Sequence, residues 1–292
     1  MGYRVDNAVI MAAGTASRFA PLSYERPKAL IEVKGEVLIE RQIRQLQEAG
    51  VPQIIVVVGY MKEQFLYLQD KFGVQIVENN DYLSRNNNGS IYAVKDWLKN
   101  TYVCSSDNYF SENPFEAEVD DAYYSVVYAR GETKEWCVTE GADGYIDGVQ
   151  IGGRDAWIML GHTFWNEAFS QRFVRILEEI YSLPETKNML WESIYMQHLD
   201  TLKMKMRKYT DDIIFEFDTL DELRLFDESY VCDTRSEILA GIAEQLGCAQ
   251  QDIVEVNSFK TADNAAAGMR CKVKGIAYEY RYDTAQLRRM KS

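Results

Sequence analysis

The chain has 292 residues, 47% apolar and 26% charged, which excludes disorder over most of its length and allows one large α/β domain with an appendage. Its formal net charge of −13 repels phosphate backbones and disfavours a general nucleic-acid binder, while leaving room for a nucleotide held in a local basic pocket. Five scattered cysteines without a C-x-x-C pair read as the reduced thiols of a cytosolic protein, and no apolar run is long enough to insert in a bilayer.

From the start of the chain, Met1–Asp6 has no leader character and runs into a short apolar strand, Ala8–Met11, which ends in Ala12-Ala13-Gly14. Residues 38–48 carry apolar positions Leu38, Ile39, Ile43 and Leu46 at helical spacing, and Gly50 stops them. Ile54–Val58 is a β-branched run ending at Gly59, the pattern of a parallel strand buried on both faces. A helical pattern over 63–71, a strand at 74–77, a helix at 90–99 and a strand at 102–104 follow, the last leading into Ser105-Ser106-Asp107. This alternation predicts an α/β fold with a doubly wound, mostly parallel sheet. Ligands bind beyond the carboxyl ends of such strands, so Gly14, Gly59 and Asp107 are expected at one cleft.

Residues 123–165 are aromatic, β-branched and punctuated by glycines, and they predict an antiparallel insertion that walls the substrate. Helices are expected at 166–181 and 189–199, a strand at 213–217 and a helix at 220–226. The domain boundary is placed at 228/229: a nucleotide-handling domain over 1–228, and a small α+β unit over 229–292 with a helix at 238–246 and a hairpin around Lys274-Gly275. That unit reads as a packing or homo-oligomerisation module, and its hairpin faintly resembles the opening of a choline-kinase-like lobe.

The chemistry concentrates at the first turn. Small residues Ala12, Ala13 and Gly14 let backbone N–H groups approach a phosphate chain. Arg18 offers a fork of donors to phosphate oxygens, and Lys28 adds a charge held by Pro27. Neither a G-x-x-x-x-G-K-[ST] loop nor G-x-G-x-x-G is present. Asp107 at a strand end is a candidate magnesium ligand. Glu216 and Asp218 alternate on the predicted strand 213–217 and its edge, where two carboxylates on one face call for a cation. The histidines, His162 and His198, form no catalytic or zinc pattern and read as structural.

The order Ala-Ala-Gly, Arg-Phe, Pro-Leu, Pro-Lys resembles the nucleotidyltransferases that activate sugar phosphates and alcohol phosphates. Within them it looks most like the bacterial CTP:phosphocholine cytidylyltransferases, through Val58–Phe65, Asn86-Asn87-Asn88 with Ser90, Ser106–Tyr109, Glu135-Trp136, Trp191-Glu192 and Phe215–Asp218. The resemblance spans residues 8–227 and implies Mg²⁺, CTP and phosphocholine, in the cytoplasm. It assigns Arg18, Lys28 and Asp107 to catalysis, with Asp107 and Asp218 on the metal. Gly59, Asn87, Asn88 and Ser90 would join the first turn in holding the nucleotide. Trp136 and Trp191, with Glu192 and Glu216, would hold a quaternary ammonium by cation–π and charge, Trp157 and Tyr195 being weaker candidates. Two departures stand out: Ser105 replaces the first acid of the family's Asp-x-Asp, and Leu190 stands where another aromatic is expected. Alternatives are a sugar-1-phosphate or aminoalkylphosphonate acceptor, or a non-catalytic nucleotide-binding regulator.

Overall fold

The computed structural model describes residues 2–261 and 266–290. The chain divides into two compact units interleaved in sequence. One holds Met1–Gly14 and Leu38–Glu216, and the other Thr15–Val37 and Phe217–Ser292.

The first unit is built on a seven-stranded sheet in the order Lys205–Tyr209, Tyr123–Glu140, Ile146–Trp165, Thr101–Ser105, Asn7–Ala12, Ile54–Val58, Gln75–Glu78. Every residue of Ile54–Val58 is buried, as its unbroken apolar run requires when helices cover both faces. Asn7–Ala12 pairs in parallel with Ile54–Val58 on one side and Thr101–Ser105 on the other. The register Ala12↔Val58 and Met11↔Ser105 puts three carboxyl ends at one edge, so the turns after Ala12, Val58 and Ser105 leave the sheet together. The helix Leu38–Glu48 buries Leu38, Ile39, Ile43 and Leu46, the stripe seen in the sequence. The helix Glu167–Ile180 starts at Asn166, whose side chain accepts from Phe169 N.

Two features differ from the sequence expectation. The antiparallel insertion is not a separate wall: its strands of 18 and 20 residues extend the central sheet, with Phe164 opposite Tyr102. The strand Lys205–Tyr209 joins them in parallel and was not expected, because KMRKY is largely polar and only half-buried.

In the second unit, Ser17–Phe19 and Lys28–Leu30 form single 3-10 turns around the short helix Leu22–Glu25. The helix Leu220–Phe226 begins in a capping box between Thr219 and Glu222. The helix Glu237–Leu246 is capped by Ser236 and closed by Gly247 at φ 59°. The expected hairpin belongs to a four-stranded antiparallel sheet, Ile253–Lys260, Ala266–Val273, Ile276–Arg281 and Gln286–Arg289. Among the described residues no helix is long and apolar enough to cross a membrane.

Candidate active site

In the second unit a loop gathers two cations on one carboxylate. Ala16 takes a left-handed conformation at φ 43° and opens the turn that presents Arg18. Arg18 Nη1 lies 2.7 Å from Asp218 Oδ2, and its side chain is 74% exposed. Lys28 Nζ lies 3.9 Å from Asp218 Oδ1 and is only 6% exposed. Its ammonium stands 5.5 Å from the centre of the Phe19 ring, so the charge is held by an aromatic face and an acid on a turn preset by Pro27. Arg18, Lys28 and Asp218 are thus brought together.

Asp218 reaches this place by a route the sequence did not suggest. The strand ends at Glu216, so Glu216 and Asp218 do not alternate on one strand face. Asp218 lies instead in the bend before the helix Leu220–Phe226, where its backbone N–H donates to Glu222 Oε2 at 2.7 Å. The local Thr-x-x-Glu cap overrides the β pattern, because it satisfies helix-start donors that a longer strand would leave open.

In the first unit the carboxyl edge of the sheet is closely packed. Ala13 O accepts from Tyr60 N at 3.1 Å. A Cβ on Gly59 would lie 3.0 Å from that same oxygen and 2.7 Å from the Tyr82 ring, so only glycine fits there. Gly14 has open space around its own Cβ position, which leaves its backbone approachable. Asp107 sits in the turn after Thr101–Ser105, and Ser105 Oγ donates to its Oδ1 at 2.7 Å. Ser105, a departure from the family pattern, therefore orients the acid that remains.

A second cluster in the first unit surrounds Glu192. Asn87 Nδ2 donates to Glu192 Oε2 at 3.0 Å, and Asn87 Oδ1 accepts from Trp191 N at 2.7 Å. The Tyr124 hydroxyl is a further hydrogen-bond partner of Glu192. Burial pushes the Glu192 carboxyl up to about 7, against the hydrogen bonds from Asn87 and Tyr124 that pull it down. Burial, and then the charges of Glu192 and Glu216, push the Tyr124 phenol well above its ordinary value. Glu216 also accepts from Asn108 Nδ2 at 3.4 Å. Glu192, Tyr124 and Glu216 therefore form one electrostatic neighbourhood, negative and partly aromatic. Sequence reasoning missed Tyr124, which reads as core within Tyr123–Val127; only the neighbouring acids single it out.

Several expected contacts are used internally. The Asn88 amide donates to the carbonyls of Thr186 (2.9 Å) and Met189, and the residue is fully buried. Ser90 Oγ accepts from Asn79 Nδ2 at 3.2 Å. Asn87 and Asn88 thus tether the 186–192 segment, and Ser90 holds Asn79. Trp191 was expected as a wall of an aromatic cage, but its ring is 1% exposed. It stacks on Tyr124 at 5.7 Å and meets Trp165 edge-on at 5.1 Å, inside the apolar core. Tyr195 shares that core. Trp136 is half-buried on the strand Tyr123–Glu140, and Trp157 packs edge-on against Tyr128 with Lys208 over its ring. His162 is buried between Tyr123 and Ser125, and burial lowers it to about 3, so it is a neutral packing group. His198 Nδ1 bonds the Ile194 carbonyl oxygen at 2.9 Å.

Among the described residues no three His, Cys, Asp or Glu side chains gather as a metal cage. Magnesium needs no such cage, since it takes one or two carboxylates together with phosphate oxygens and water. An aspartate oriented by a neutral hydroxyl, as Asp107 is by Ser105, fits that mode of binding.

Residues 8–134 match the MobA-like NTP transferase domain. The chain is 34% identical over 221 residues to a choline-phosphate cytidylyltransferase of Streptococcus pneumoniae, covering 76% of this chain and 96% of that one. It is 36% identical over 234 residues to a 2-aminoethylphosphonate cytidylyltransferase of Lancefieldella rimae, covering 79% and 95%. The solved structure of the Streptococcus pneumoniae CTP:phosphocholine cytidylyltransferase superposes with a TM-score of 0.74 at 34% identity, covering 99% of that chain but 78% of this one. About a fifth of the present chain thus has no counterpart there. The chain belongs to the nucleotidyltransferase family that includes these cytidylyltransferases.

Proposed function

We propose that this protein transfers CMP from CTP to phosphocholine, releasing pyrophosphate and CDP-choline. The observation that carries the acceptor is the half-buried Glu192 carboxylate, held by Asn87 Nδ2 at 3.0 Å, with Glu216 acting on the same neighbourhood. An organic cation is attracted by such carboxylates, and an aromatic contact, which rests with Trp136, adds ~0.5–2 kcal/mol. The relative from Streptococcus pneumoniae supports the same choice.

An oxygen of the acceptor phosphate attacks the α-phosphorus, a new P–O bond forms, and the bond to pyrophosphate breaks. The attacking oxygen is already anionic near neutral pH, so no general base is needed and catalysis is positioning plus charge neutralisation. Lys28 neutralises charge at the α-phosphate and Arg18 holds the departing pyrophosphate. Asp107 and Asp218 are each proposed as carboxylates for Mg²⁺, which when bound would neutralise phosphate charge. For Arg18 and Lys28 to work in this way, substrate phosphates must compete with Asp218 for them. The apolar wall rests with Trp136, and the nucleotide with Ala12, Ala13, Gly14 and Gly59. Residues 1–228 form the catalytic domain and 229–292 an addition to it, working in the cytoplasm where CTP is made.

A second acceptor, 2-aminoethylphosphonate, is favoured by the Lancefieldella rimae relative and by the acidic, hydrogen-bonding character around Glu192, which also suits a primary ammonium. Pyrophosphate release with Mg²⁺, crossing four NTPs against phosphocholine, phosphoethanolamine, 2-aminoethylphosphonate and sugar 1-phosphates, separates the two. Turnover with CTP and phosphocholine alone is expected. Preference for the phosphonate would move the second reading forward, and no release with any pair would end both.

A further inference from the structure

We infer that the C-terminal addition is a brace that holds the loop carrying Arg18 and Lys28 in its working position. This rests on the catalytic roles proposed above for those two residues. Residues 15–37 belong to the same compact unit as 217–292, although the whole stretch 38–216 separates them in sequence.

The attachments run along the whole loop. The turn Ser17–Phe19, which presents Arg18, lies against the strand Ile253–Lys260. Tyr24 stacks face to face on Tyr282, with ring centres 3.8 Å apart and planes 10° off parallel. Glu25 Oε1 accepts from Ile238 N at 3.0 Å, at the start of the helix Glu237–Leu246. The Tyr230 hydroxyl donates to Glu32 O at 2.6 Å, and Arg235 reaches the Glu32 carboxylate at 3.5 Å. Lys34 N donates to Asp227 Oδ2 at 2.7 Å. The helix that follows Asp218 is fixed to the same sheet, because Arg224 donates to the carbonyls of Ile253 (2.8 Å) and Gln250 (2.9 Å). Lys28 is thus held between anchored points on either side, Glu25 before it and Glu32 after it.

This arrangement meets a specific physical need. The loop's own backbone hydrogen bonds are short-range, closing single turns such as Phe19 N to Ala16 O and Leu30 N to Pro27 O, so they shape each turn while the position of the whole loop is set by what it packs against. Transfer between two anions is sensitive to where the neutralising charges stand, and ångström displacements cost rate more than affinity. The solved relative is matched over 99% of its length while about a fifth of this chain is left over. Tyr24 and Tyr282 are positioning residues here, acting on the reaction only through Arg18 and Lys28.

The experiment is a double-mutant cycle of Tyr24→Ala and Tyr282→Ala in the full chain, with Tyr282→Phe as the conservative control. Each alanine variant is expected to lower kcat roughly 10- to 100-fold with little change in the KM for the acceptor. The double variant should lose little more than either single one, and Tyr282→Phe should restore turnover. Hydrogen exchange of residues 15–37, measured on the same proteins, should be faster in the alanine variants while the central sheet stays protected. That readout needs no turnover, so it tests the brace even if the acceptor is misassigned. Unchanged exchange in 15–37 would overturn the inference, as would kcat within about twofold of the parent in both alanine variants.

Discussion

Asp218 in one unit and Glu192 in the other are both carboxylates with proposed roles, and their surroundings are opposite. Asp218 is a third exposed and faces two cations, Arg18 and Lys28. Glu192 is packed among neutral donors, Asn87 and Tyr124, with Glu216 as the nearby charge acting on the same ring. The first acid has its countercharge built into the protein. The second is held by neutral donors instead, and burial lifts it to about 7. A region that keeps its own cations suits anionic phosphates that must compete for them, whereas a buried carboxylate held by neutral donors suits a ligand that brings a cation.

The largest test of this contrast is Lys28→Ala. Removing a buried charge from the phosphate-facing group should lower kcat ~10²- to 10³-fold, while circular dichroism and melting stay near those of the parent. Near-normal turnover would remove Lys28 from the mechanism.

Glu192→Gln addresses the other side. The KM for a cationic acceptor should rise ~10-fold at pH 8, and the parent's own KM should rise as pH falls below about 7, because protonated Glu192 no longer attracts the cation. The stability consequence has a definite sign. Between pH 4.5 and about 7 the native state keeps a proton that the unfolded chain releases, so through this group stability falls as pH rises across that window. Thermal unfolding from pH 4.5 to 8 should show this slope in the parent and a flatter curve in Glu192→Gln. Parallel curves would show that Glu192 titrates normally.

The smallest effect is expected at the closely packed edge of the sheet. Gly59→Ala puts a Cβ 3.0 Å from Ala13 O and 2.7 Å from Tyr82, and should cost ~1–3 kcal/mol in urea unfolding, with a raised KM for CTP. An unchanged midpoint would mean the turn after Val58 yields easily.

Much of the first unit was legible because its signals are local. The helix Leu38–Glu48 and the strand Ile54–Val58 coincide with the sequence reading, since a 3.6-residue stripe and a β-branched run each point to one structure. The bounds of Leu220–Phe226 were legible too, yet its cap removed Asp218 from the strand to which it had been assigned. Lys205–Tyr209 was invisible, because a polar edge strand becomes a strand only when a long neighbour offers it hydrogen bonds. Trp191 could be named from the sequence but not located: whether an indole lines a pocket or fills a core depends on Tyr124 and Trp165, which are distant in the chain.

The sequence by itself determined the alternating α/β order, the first-turn segment that carries Arg18 and Lys28, and Asp107 after a strand end, because strand ends, small-residue turns and charged side chains are written in neighbouring residues. Only the tertiary structure decided which acid meets which cation, that Ser105 orients Asp107, that Tyr124 joins Glu192, and that residues 15–37 are held by 217–292. Those facts depend on the closure of long loops, whose entropy cost grows only slowly with length and leaves no local mark on the residues that close them.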